Sequence, residues 1–445
     1  MGVQLVRFGG RGRAVVAGIV IIATAGVLSG CGGSEPVVRS AAQACGEDPF
    51  GCVRVGPDEP VQIGALLWDD PTVGGRDSFR GVELAVDGFD RSFDGEGALL
   101  GHEVEVVEVD EGCTASGGRK GARRLLTGGE VVGIVGTSCS ASSYRAAAEA
   151  ASNAGTVIVS PSNTLAELTE PGKRAPFFFR TSANDLLQSR FVANFIDERH
   201  PEANVLMVDT DDIYSSSLGS RFVEAWAELE PEVPVRRVTV PSAASASAIE
   251  EKLPGAMGGE GPSVAYFPAL GGSCLTALDA IVKTLRPVPD MLITSDGCIS
   301  TAVLDQVKEL GVTVFITLLD SDDRFDRKEY TEEFLPAYRK RFGSDPTSTY
   351  HAEAYDAAEL ILAAVEKVAI EEDDGSLAIP RSEIRDAIEA LAPWDGLSGP
   401  IDCGSEGDCR ETATYSAFKS PDWPVAEGAG SAKPVFSETL EMSRK

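Results

Sequence analysis

Short apolar runs alternate with helix-like segments along most of the chain after residue 60. The runs have the length and the β-branched content of strands. In the segments between them the apolar residues recur every three or four positions, as in amphipathic helices. Such alternation predicts a parallel sheet covered by helices on both faces. The strands predicted in the first half are 61–67, 103–109, 131–136, 156–160 and 176–180.

The same alternation starts again after residue 182. It predicts strands at 204–209, 235–240, 263–268, 290–294 and 312–317, followed by helices at 327–341, 350–370 and 380–391. A chain of 445 residues favours two domains over one. We therefore predict an α/β fold with two lobes, each built on a doubly wound parallel sheet. The late helices must complete the layers of the first lobe, so we expect a hinge of three crossings, near Thr181, Leu318 and Thr414.

The first thirty residues have the pattern of an export signal. Arg7, Arg11 and Arg13 precede the apolar stretch AVVAGIVIIATAGVL, and small residues then lead to Cys31 in LSGC. The length and flanks of this stretch are those of a signal peptide rather than of a membrane span. LSGC resembles a bacterial lipobox, which implies that Cys31 is lipidated and anchors the exported chain to the outer face of the cytoplasmic membrane. An ordinary secretory cleavage site is the alternative.

These segments give the predicted domain organisation. A lipoprotein signal peptide at 1–30 precedes a tether at 31–60. We expect the first lobe at 61–181 plus 319–413, and the second lobe with the tail at 182–318 plus 414–445.

Charge and motif content exclude several classes of function. The formal net charge is −30 and no stripe of lysine and arginine interrupts it, so nucleic acid is not an expected partner. The cysteines and the three histidines lack the spacing of a zinc site, and we expect no metal and no cofactor. The sequence contains no G-x-S-x-G, P-loop or H-E-x-x-H motif, which favours a binding protein over an enzyme.

The remaining cysteines are expected to form disulfides, because disulfides persist outside the cytosol. Lipidation of Cys31 leaves eight of the nine cysteines. Cys113 and Cys139 follow neighbouring predicted strands, whose ends meet at one edge of a parallel sheet, and the same reasoning joins Cys274 to Cys298. Cys45 with Cys52, and Cys403 with Cys409, can close short loops.

The predicted strand 131–136 ends in the polar turn GTSCSASS. Ligands of open parallel sheets bind beyond the carboxyl ends of the strands. Ser138 and Ser140 stand where a helix begins, so they can cap that helix. The free amides of the same helix end can also receive an anion. Both interpretations stay open at this point.

The run VVGIVGTSCSASSYRAAAEAASNAGTVIVSPSNTLAELT resembles the solute-binding proteins of branched-chain amino acid transporters, which are type I periplasmic binding proteins. Shared features are a serine-bearing strand end, a helix, and an SPS-type strand end followed by threonine. FFFRTSANDLLQ, DDIYSSSLGSRF and HAEAYDAAELILAAV resemble later segments of that family, so the resemblance spans about residues 61 to 420. It implies a protein that captures an amino acid or related small carboxylate between two lobes and delivers it to an ABC permease. A lipoprotein that senses a ligand and signals to a membrane partner is the alternative.

The resemblance also implies a ligand site shared by the two lobes. Ser140, Ser162 and Thr164 match the positions that hold the ligand carboxylate. Asp296 matches the acid, usually a glutamate, that takes the ligand ammonium. Aromatic positions of the cleft fall on Tyr214, Phe267 and Tyr355.

One departure from the family concerns the first strand-to-helix turn. The family has a tryptophan there, and this chain has Gly74 or Gly75. A branched aliphatic ligand is therefore not implied. Asp69 and Asp70 lie close by, where they either favour a polar or cationic ligand side chain or belong to a solvated loop.

Overall fold

The computed structural model describes residues 39–70, 75–89, 98–256, 261–319, 327–347, 349–423 and 432–442. The predicted lipidation site Cys31 and the turn residue Gly74 lie outside the described residues. Within the described part of the chain, no helix is both long and apolar enough to cross a membrane.

All ten strands predicted from the apolar runs are present, with ends that differ by at most two residues. The described strands are β1 Cys52–Val55, β2 Val61–Leu67, β3 Ala98–Leu99, β4 His102–Asp110, β5 Val131–Gly136, β6 Val157–Ser160, β7 Phe178–Arg180, β8 Val205–Thr210, β9 Arg236–Val240, β10 Val264–Phe267, β11 Met291–Ser295, β12 Val314–Leu319, β13 Ile370–Glu371, β14 Leu377–Pro380, β15 Trp394–Gly396, β16 Gly399–Ile401, β17 Thr412–Lys419 and β18 Phe436–Glu441.

The helices fall between these strands. They are α1 Ala41–Glu47, α2 Gly75–Gly88, α3 Ala115–Leu126, α4 Ser140–Ser142, α5 Ala148–Asn153, α6 Asp185–Arg199, α7 Ile213–Leu229, α8 Ala246–Ala256, α9 Gly272–Thr284, α10 Thr301–Leu310, α11 Leu335–Phe342, α12 His351–Val368 and α13 Arg381–Glu389. A π-helical turn, Ser143–Ala147, joins α4 to α5, and another, Glu329–Phe334, precedes α11. The turns Ala166–Leu168 and Asp296–Cys298 are 3-10 helices.

The first sheet has the strand order β3, β4, β2, β5, β6, β7. Neighbours from β4 to β7 run parallel, and the short β3 is antiparallel to β4 at the edge. Helices cover both faces: Phe79 of α2 and Leu360 of α12 belong to one hydrophobic layer, and Leu125 of α3 and Ala151 of α5 belong to the other. This is the doubly wound arrangement predicted from the sequence.

The second sheet has the order β18, β17, β12, β11, β10, β8, β9. The five strands from β12 to β9 are parallel, and β17 and β18 extend the sheet in antiparallel fashion. Phe191 of α6 and Trp226 of α7 lie in the hydrophobic layer on one face, and Ile281 of α9 and Leu304 of α10 lie in the layer on the other. The second lobe is therefore also covered on both faces.

The chain passes between the two sheets three times. It leaves the first sheet after β7, returns after β12, and leaves it again between β16 and β17. Ser40–Lys445 nevertheless forms one unit, so the two lobes contact each other.

Part of the segment predicted as a tether is folded, and the tether prediction is wrong for it. Ser40 and Gln43 form a capping box at the start of α1. A disulfide from Cys45 to Cys52 joins α1 to β1. β1 pairs antiparallel with β14 and buries Val53 and Val55 against the first lobe. A four-residue strand of this kind carries too short a pattern to be recognised in the sequence.

Candidate ligand site between the lobes

The polar turn that follows β5 begins against the end of β2. Gly136 has a φ of +150°, and a Cβ atom there would lie 2.2 Å from the carbonyl oxygen of Leu66. Only glycine permits this approach. On its other side β5 pairs in parallel with β6. The turns that follow β5 and β6 therefore meet at one edge of the first sheet.

The structure brings together the three hydroxyl residues expected to hold a carboxylate. Ser162 Oγ donates to the carbonyl of Ser138 at 3.0 Å, and the amide of Leu165 donates to Ser140 Oγ at 3.4 Å. Ser140 and Thr164 are buried. These two hydrogen bonds join the turns, so the hydroxyls of Ser140, Ser162 and Thr164 belong to one small region of the first lobe.

The buried carboxyl group of Glu111 lies behind this region and accepts hydrogen bonds from two of its backbone amides. Glu111 Oε1 accepts hydrogen bonds from the amides of Ser138 at 3.1 Å and Cys139 at 2.9 Å. No residue in the described part of the chain gives Glu111 Oε2 a hydrogen-bond partner. Burial raises the pKa of Glu111 to about 8. Because these two amides are committed to Glu111, an anion bound here depends on the hydroxyl groups.

Arg180, at the end of β7, holds the second turn in place. Its buried guanidinium donates to the carbonyls of Asn163 and Leu165 at 2.9 Å each and to Thr169 Oγ1 at 2.6 Å. It also forms an ion pair with Asp408. Arg180 was not among the predicted site residues, and its signal in the sequence is a single arginine at the end of the apolar run PFFFR. It acts on the site by positioning the turn.

Asp296 follows β11 and accepts hydrogen bonds from three side chains. Its Oδ1 accepts from the hydroxyl of Tyr214 at 2.7 Å and from Gln188 Nε2 at 2.8 Å, and its Oδ2 accepts from the hydroxyl of Tyr350 at 2.8 Å. Tyr214 lies in the first turn of α7, and Gln188 lies on α6. The structure thus brings two predicted site residues, Tyr214 and Asp296, into direct contact.

Tyr350, rather than Tyr355, reaches this carboxylate from the first lobe. Tyr350 immediately precedes α12. Tyr355 lies on the helix itself and packs edge-on against Phe334, with 5.6 Å between ring centroids, inside the hydrophobic layer of the first lobe. The structure does not bring Tyr355 to Asp296. The segment STYHAEAY contains both tyrosines, and the resemblance pointed to the second one.

On β10 as well, a neighbour of the predicted residue lies nearer the acidic groups, because Tyr266 and Phe267 point to opposite faces of the sheet. Phe267 is fully buried in the hydrophobic layer beneath α9 and α10, away from Asp296. Successive side chains of a strand point to opposite faces, and Tyr266 points to the face covered by α6 and α7, where its ring meets Phe222 at 4.9 Å. Burial, and then the negative charges of Asp185 and Asp296, raise the pKa of Tyr266 well above its ordinary value. Tyr266 is therefore the nearer of the two to the acidic groups.

Asp185 was not predicted from the sequence and is the most deeply buried acid of the region. It opens α6, and its amide donates to the carbonyl of Thr164 at 2.9 Å. The side chain is fully buried, and neither carboxylate oxygen has a hydrogen-bond partner among the described residues. Burial, followed by the negative charge of Asp296, raises the pKa of Asp185 to about 7, and the nearby Thr164 hydroxyl offsets a part of this rise.

Further polar contacts join the lobes at one side of the cleft. Glu167, which follows the second turn, accepts a hydrogen bond from Ser217 Oγ at 3.0 Å and lies 3.2 Å from the guanidinium of Arg221. Both partners lie on α7 of the second lobe. The two lobes are thus held together by hydrogen bonds and an ion pair as well as by the chain crossings.

Asp69, one of the acids beside the first strand-to-helix turn, is exposed. Its carboxylate lies 3.7 Å from the guanidinium of Arg76, which also binds Glu108 at 2.8 Å. A Cβ atom on Gly75 would lie 2.0 Å from the carbonyl oxygen of Trp68. Position 75 therefore requires glycine, which accounts for the missing tryptophan there.

The cysteines form the four predicted pairs. Disulfides join Cys45 to Cys52, Cys113 to Cys139, Cys274 to Cys298, and Cys403 to Cys409. The second fixes the turn that carries Ser140, and the third fixes the turn that carries Asp296. Among the described residues, no group of histidine, cysteine, aspartate and glutamate side chains is arranged to hold a metal ion.

Comparisons with known proteins agree with this architecture. A leucine-binding protein from Thermotoga maritima has a TM-score of 0.64 at 20% identity over 85% of this chain and 97% of its own. A branched-chain amino acid binding protein from Streptococcus pneumoniae, solved with isoleucine, has a TM-score of 0.63 at 20% identity over 86% and 100% of the two chains. A solute-binding protein from Rhodopseudomonas palustris, solved with p-hydroxybenzoic acid, has a TM-score of 0.67 at 18% identity over 87% and 98%.

These identities show a shared fold. A search among curated proteins found no sequence relative of this chain. The model of the family described as periplasmic binding protein matches residues 60–415, which is most of the 445-residue chain. The expectation of a binding protein rather than an enzyme agrees with that match. With its two parallel-sheet lobes and three crossings, the chain belongs to the periplasmic binding proteins of type I.

Proposed function

We propose that this protein is an extracytoplasmic solute-binding lipoprotein that captures an amino acid or a related small carboxylate and delivers it to an ABC permease. The observation that carries the proposal is that α6 links the two groups of candidate residues, because its Asp185 amide donates to the carbonyl of Thr164 and its Gln188 side chain donates to Asp296. Ser140, Ser162 and Thr164 offer hydroxyl groups from the first lobe, and Asp296 offers a carboxylate from the second. A zwitterion complements both, because hydrogen bonds to charged groups are stronger than neutral ones.

The proposed ligand stabilises the closed arrangement of the lobes. An open form offers only the hydroxyls of the first lobe, whereas the closed form adds Asp296 and Tyr214. A ligand shifts such an equilibrium by its difference in affinity for the two states. The Tyr350–Asp296 hydrogen bond and the Arg221–Glu167 ion pair cross the cleft and support the same closed arrangement.

Attachment to the membrane through Cys31 is part of the proposal. The leader with its arginines and the LSGC sequence support it. Mass spectrometry of the mature protein from a membrane fraction should find a lipid-modified N-terminal cysteine. Cys31→Ser should release the protein from that fraction. If wild-type protein is recovered without lipid, an ordinary secretory signal is the correct interpretation.

An aromatic acid is the second candidate ligand. Solved relatives include proteins bound to benzoate-type acids, and the hydroxyls of Tyr214 and Tyr350 lie at Asp296. Such a ligand would use the hydroxyls of the first lobe and leave the acids of the second lobe without a cation.

A thermal-shift screen tests the proposal. The panel contains the natural amino acids, their amides, benzoate and p-hydroxybenzoate, and calorimetry follows on every compound that raises the melting temperature. A ligand that binds the folded state alone stabilises it in proportion to its concentration over Kd. We expect amino acids among the stabilising compounds, and weaker binding by Ser140→Ala. Glu383→Gln, on α13 away from both turns, is the control. A protein that no small carboxylate stabilises would contradict the proposed function.

A further inference from the structure

We infer that the solvent-facing side of α3 is a membrane-contact surface, which binds the anionic phospholipid headgroups of the membrane that carries the protein. The inference rests on the membrane anchor of the proposed function and goes beyond the solute site. It concerns a part of the first lobe that has no role in holding the ligand.

Four exposed cations share one face of α3. They are Arg119, Lys120, Arg123 and Arg124. A helix with 3.6 residues per turn places these four positions within an arc of about 140°. The opposite side of the helix packs on the first sheet, where Ala122 and Leu125 are buried. The run RKGARR is short in the sequence, and the helix gathers its charges on one side.

These cations lack acidic partners. Residues 115–129 contain no aspartate or glutamate, and among the residues that the structure describes none of the four side chains forms an ion pair. Other exposed cations are commonly paired, as Lys283 is with Asp279. The guanidinium of Arg119 donates to the carbonyl of Arg145 at 2.6 Å, which places a fifth exposed cation beside α3. The face is therefore a local excess of positive charge on a protein whose formal net charge is −30.

The folded N-terminal segment lies close to the C-terminal end of this helix. Gly51, between α1 and β1, accepts a hydrogen bond from the amide of Arg381 at 3.1 Å, and the guanidinium of Arg381 donates to the carbonyl of Gly129. Gly129 comes three residues after the end of α3. From Cys31 to Ser40 the chain spans at most about 30 Å. A lipid on Cys31 therefore keeps α3 within reach of the membrane surface.

Electrostatics favours α3 as the part of the protein that meets the membrane. An anionic surface repels a protein with this net charge, and screening confines the interaction to about 8 Å at physiological salt. Each lysine or arginine that comes this close raises the affinity about fivefold. Four cations side by side on one helix can meet a flat surface together. The anchor segment and α3 both belong to the first lobe, so the first lobe is the fixed body and the second lobe moves when the cleft closes.

The test is co-sedimentation of the mature chain with lipid vesicles at low ionic strength. The chain begins at residue 31 and carries Cys31→Ser, so that it has no lipid and binds through its surface alone. One set of vesicles is phosphatidylcholine, and the other contains equal parts of phosphatidylcholine and phosphatidylglycerol. The α3 variant combines Arg119→Gln, Lys120→Gln, Arg123→Gln and Arg124→Gln. Melting curves establish that each variant is folded.

The matched control removes the same number of positive charges from other exposed positions. It combines Lys252→Gln, Lys283→Gln, Lys308→Gln and Lys340→Gln. Its net charge equals that of the α3 variant, so a difference between the two variants reports the position of the charges.

We expect wild type to bind the phosphatidylglycerol vesicles at least about tenfold more tightly than the neutral ones, with the difference lost as salt rises. The α3 variant should bind both kinds of vesicle alike, and the control variant should behave as wild type. Equal binding of wild type to both vesicles would overturn the inference and leave α3 to an acidic protein partner. Equal behaviour of the two variants would also overturn it. Solute binding stands in either case, because the thermal-shift screen tests it separately.

Discussion

The two sides of the cleft differ in how they can meet a charged ligand. The side from the first lobe consists of neutral hydroxyls on Ser140, Ser162 and Thr164, with the carboxyl of Glu111 behind them. The side from the second lobe consists of acceptors, the half-buried carboxylate of Asp296 and the buried Oε1 atom of Gln188, with the buried carboxyl group of Asp185 beside them.

This difference indicates which side discriminates between ligands. Hydroxyl groups can donate to any carboxylate, so the first lobe favours small carboxylates as a class. The half-buried carboxylate of Asp296 favours a ligand that brings positive charge, because a charge removed from water needs a partner. The second lobe is therefore expected to determine which carboxylates are accepted.

The largest effect is expected from Asp296→Asn. The change replaces one of the two carboxylate oxygens with an amide group that cannot accept, and it leaves a ligand ammonium without its charge partner at the end of β11. Breaking a buried charged pair costs about 3–5 kcal/mol, so amino-acid affinity should fall by more than about a hundredfold. Calorimetry measures this loss of affinity. Asp305→Asn serves as the control, because that side chain is 73% exposed on α10 of the same lobe. Equal losses in both variants would contradict the assignment.

Ser140→Ala should have a smaller effect, because it removes one neutral donor while Ser162 and Thr164 remain. A hydrogen bond to a charged group contributes about 1.5–3 kcal/mol, which corresponds to about ten- to a hundredfold in affinity. The loss should be similar for an amino acid and its desamino acid, since both carry the carboxylate. Ser376→Ala, in the turn between β13 and β14, is the control. If Ser140→Ala lowered the affinity for the amino acid alone, Ser140 would not contact the ligand carboxylate.

Tyr350→Phe should weaken binding about tenfold, because one of the three hydrogen bonds to Asp296 crosses between the lobes and is lost. Tyr355→Phe should weaken binding less than about twofold, since that ring packs inside the first lobe. Calorimetry on both variants decides between the two tyrosines. If Tyr355→Phe weakened binding more than Tyr350→Phe, the assignment of Tyr355 from the family resemblance would be correct.

The remaining effect is expected on stability rather than on binding. The pKa of Glu111 is raised by burial from 4.5 to about 8. Between these values the folded protein holds a proton that the unfolded chain has lost, so stability should fall as pH rises from about 4.5 to about 8. Asp185 contributes in the same direction, up to about 7. Urea midpoints at pH 5.5 and 8 should differ less in Glu111→Gln than in wild type. An unchanged difference would show that Glu111 ionises normally.

The sequence predicted the parallel strands well, because their continuous apolar runs carry a strong local signal. It missed β17 and β18, whose sequences TATYSAFK and FSETLE are rich in serine, threonine and glutamate and form the antiparallel edge of the second sheet. It also missed the folding of residues 41–55, since β1 exists only through its pairing with β14. Contacts between distant segments leave little trace in a local pattern.

Motifs in the sequence locate the turns that carry the candidate site residues, whereas a tertiary contact selects which side chain of an element lies near Asp296. Ser140, Ser162 and Thr164 follow strands that the apolar runs located, and Asp296 follows β11 in the same way. Shifts of one and five residues separate Phe267 from Tyr266 and Tyr355 from Tyr350, and only the packing of β10 and α12 decides between them. Asp185 resembles an ordinary first-turn acid of a helix until its burial is known.

A crystal structure of the protein with the amino acid that stabilises it most in the screen decides whether one zwitterion bridges the hydroxyls of the first lobe and the carboxylate of Asp296 in the second. We expect the ligand carboxylate within hydrogen-bonding distance of Ser140 and Thr164, and the ligand nitrogen within hydrogen-bonding distance of Asp296. A ligand bound in the reverse orientation, or with its nitrogen away from Asp296, would contradict the proposed binding mode.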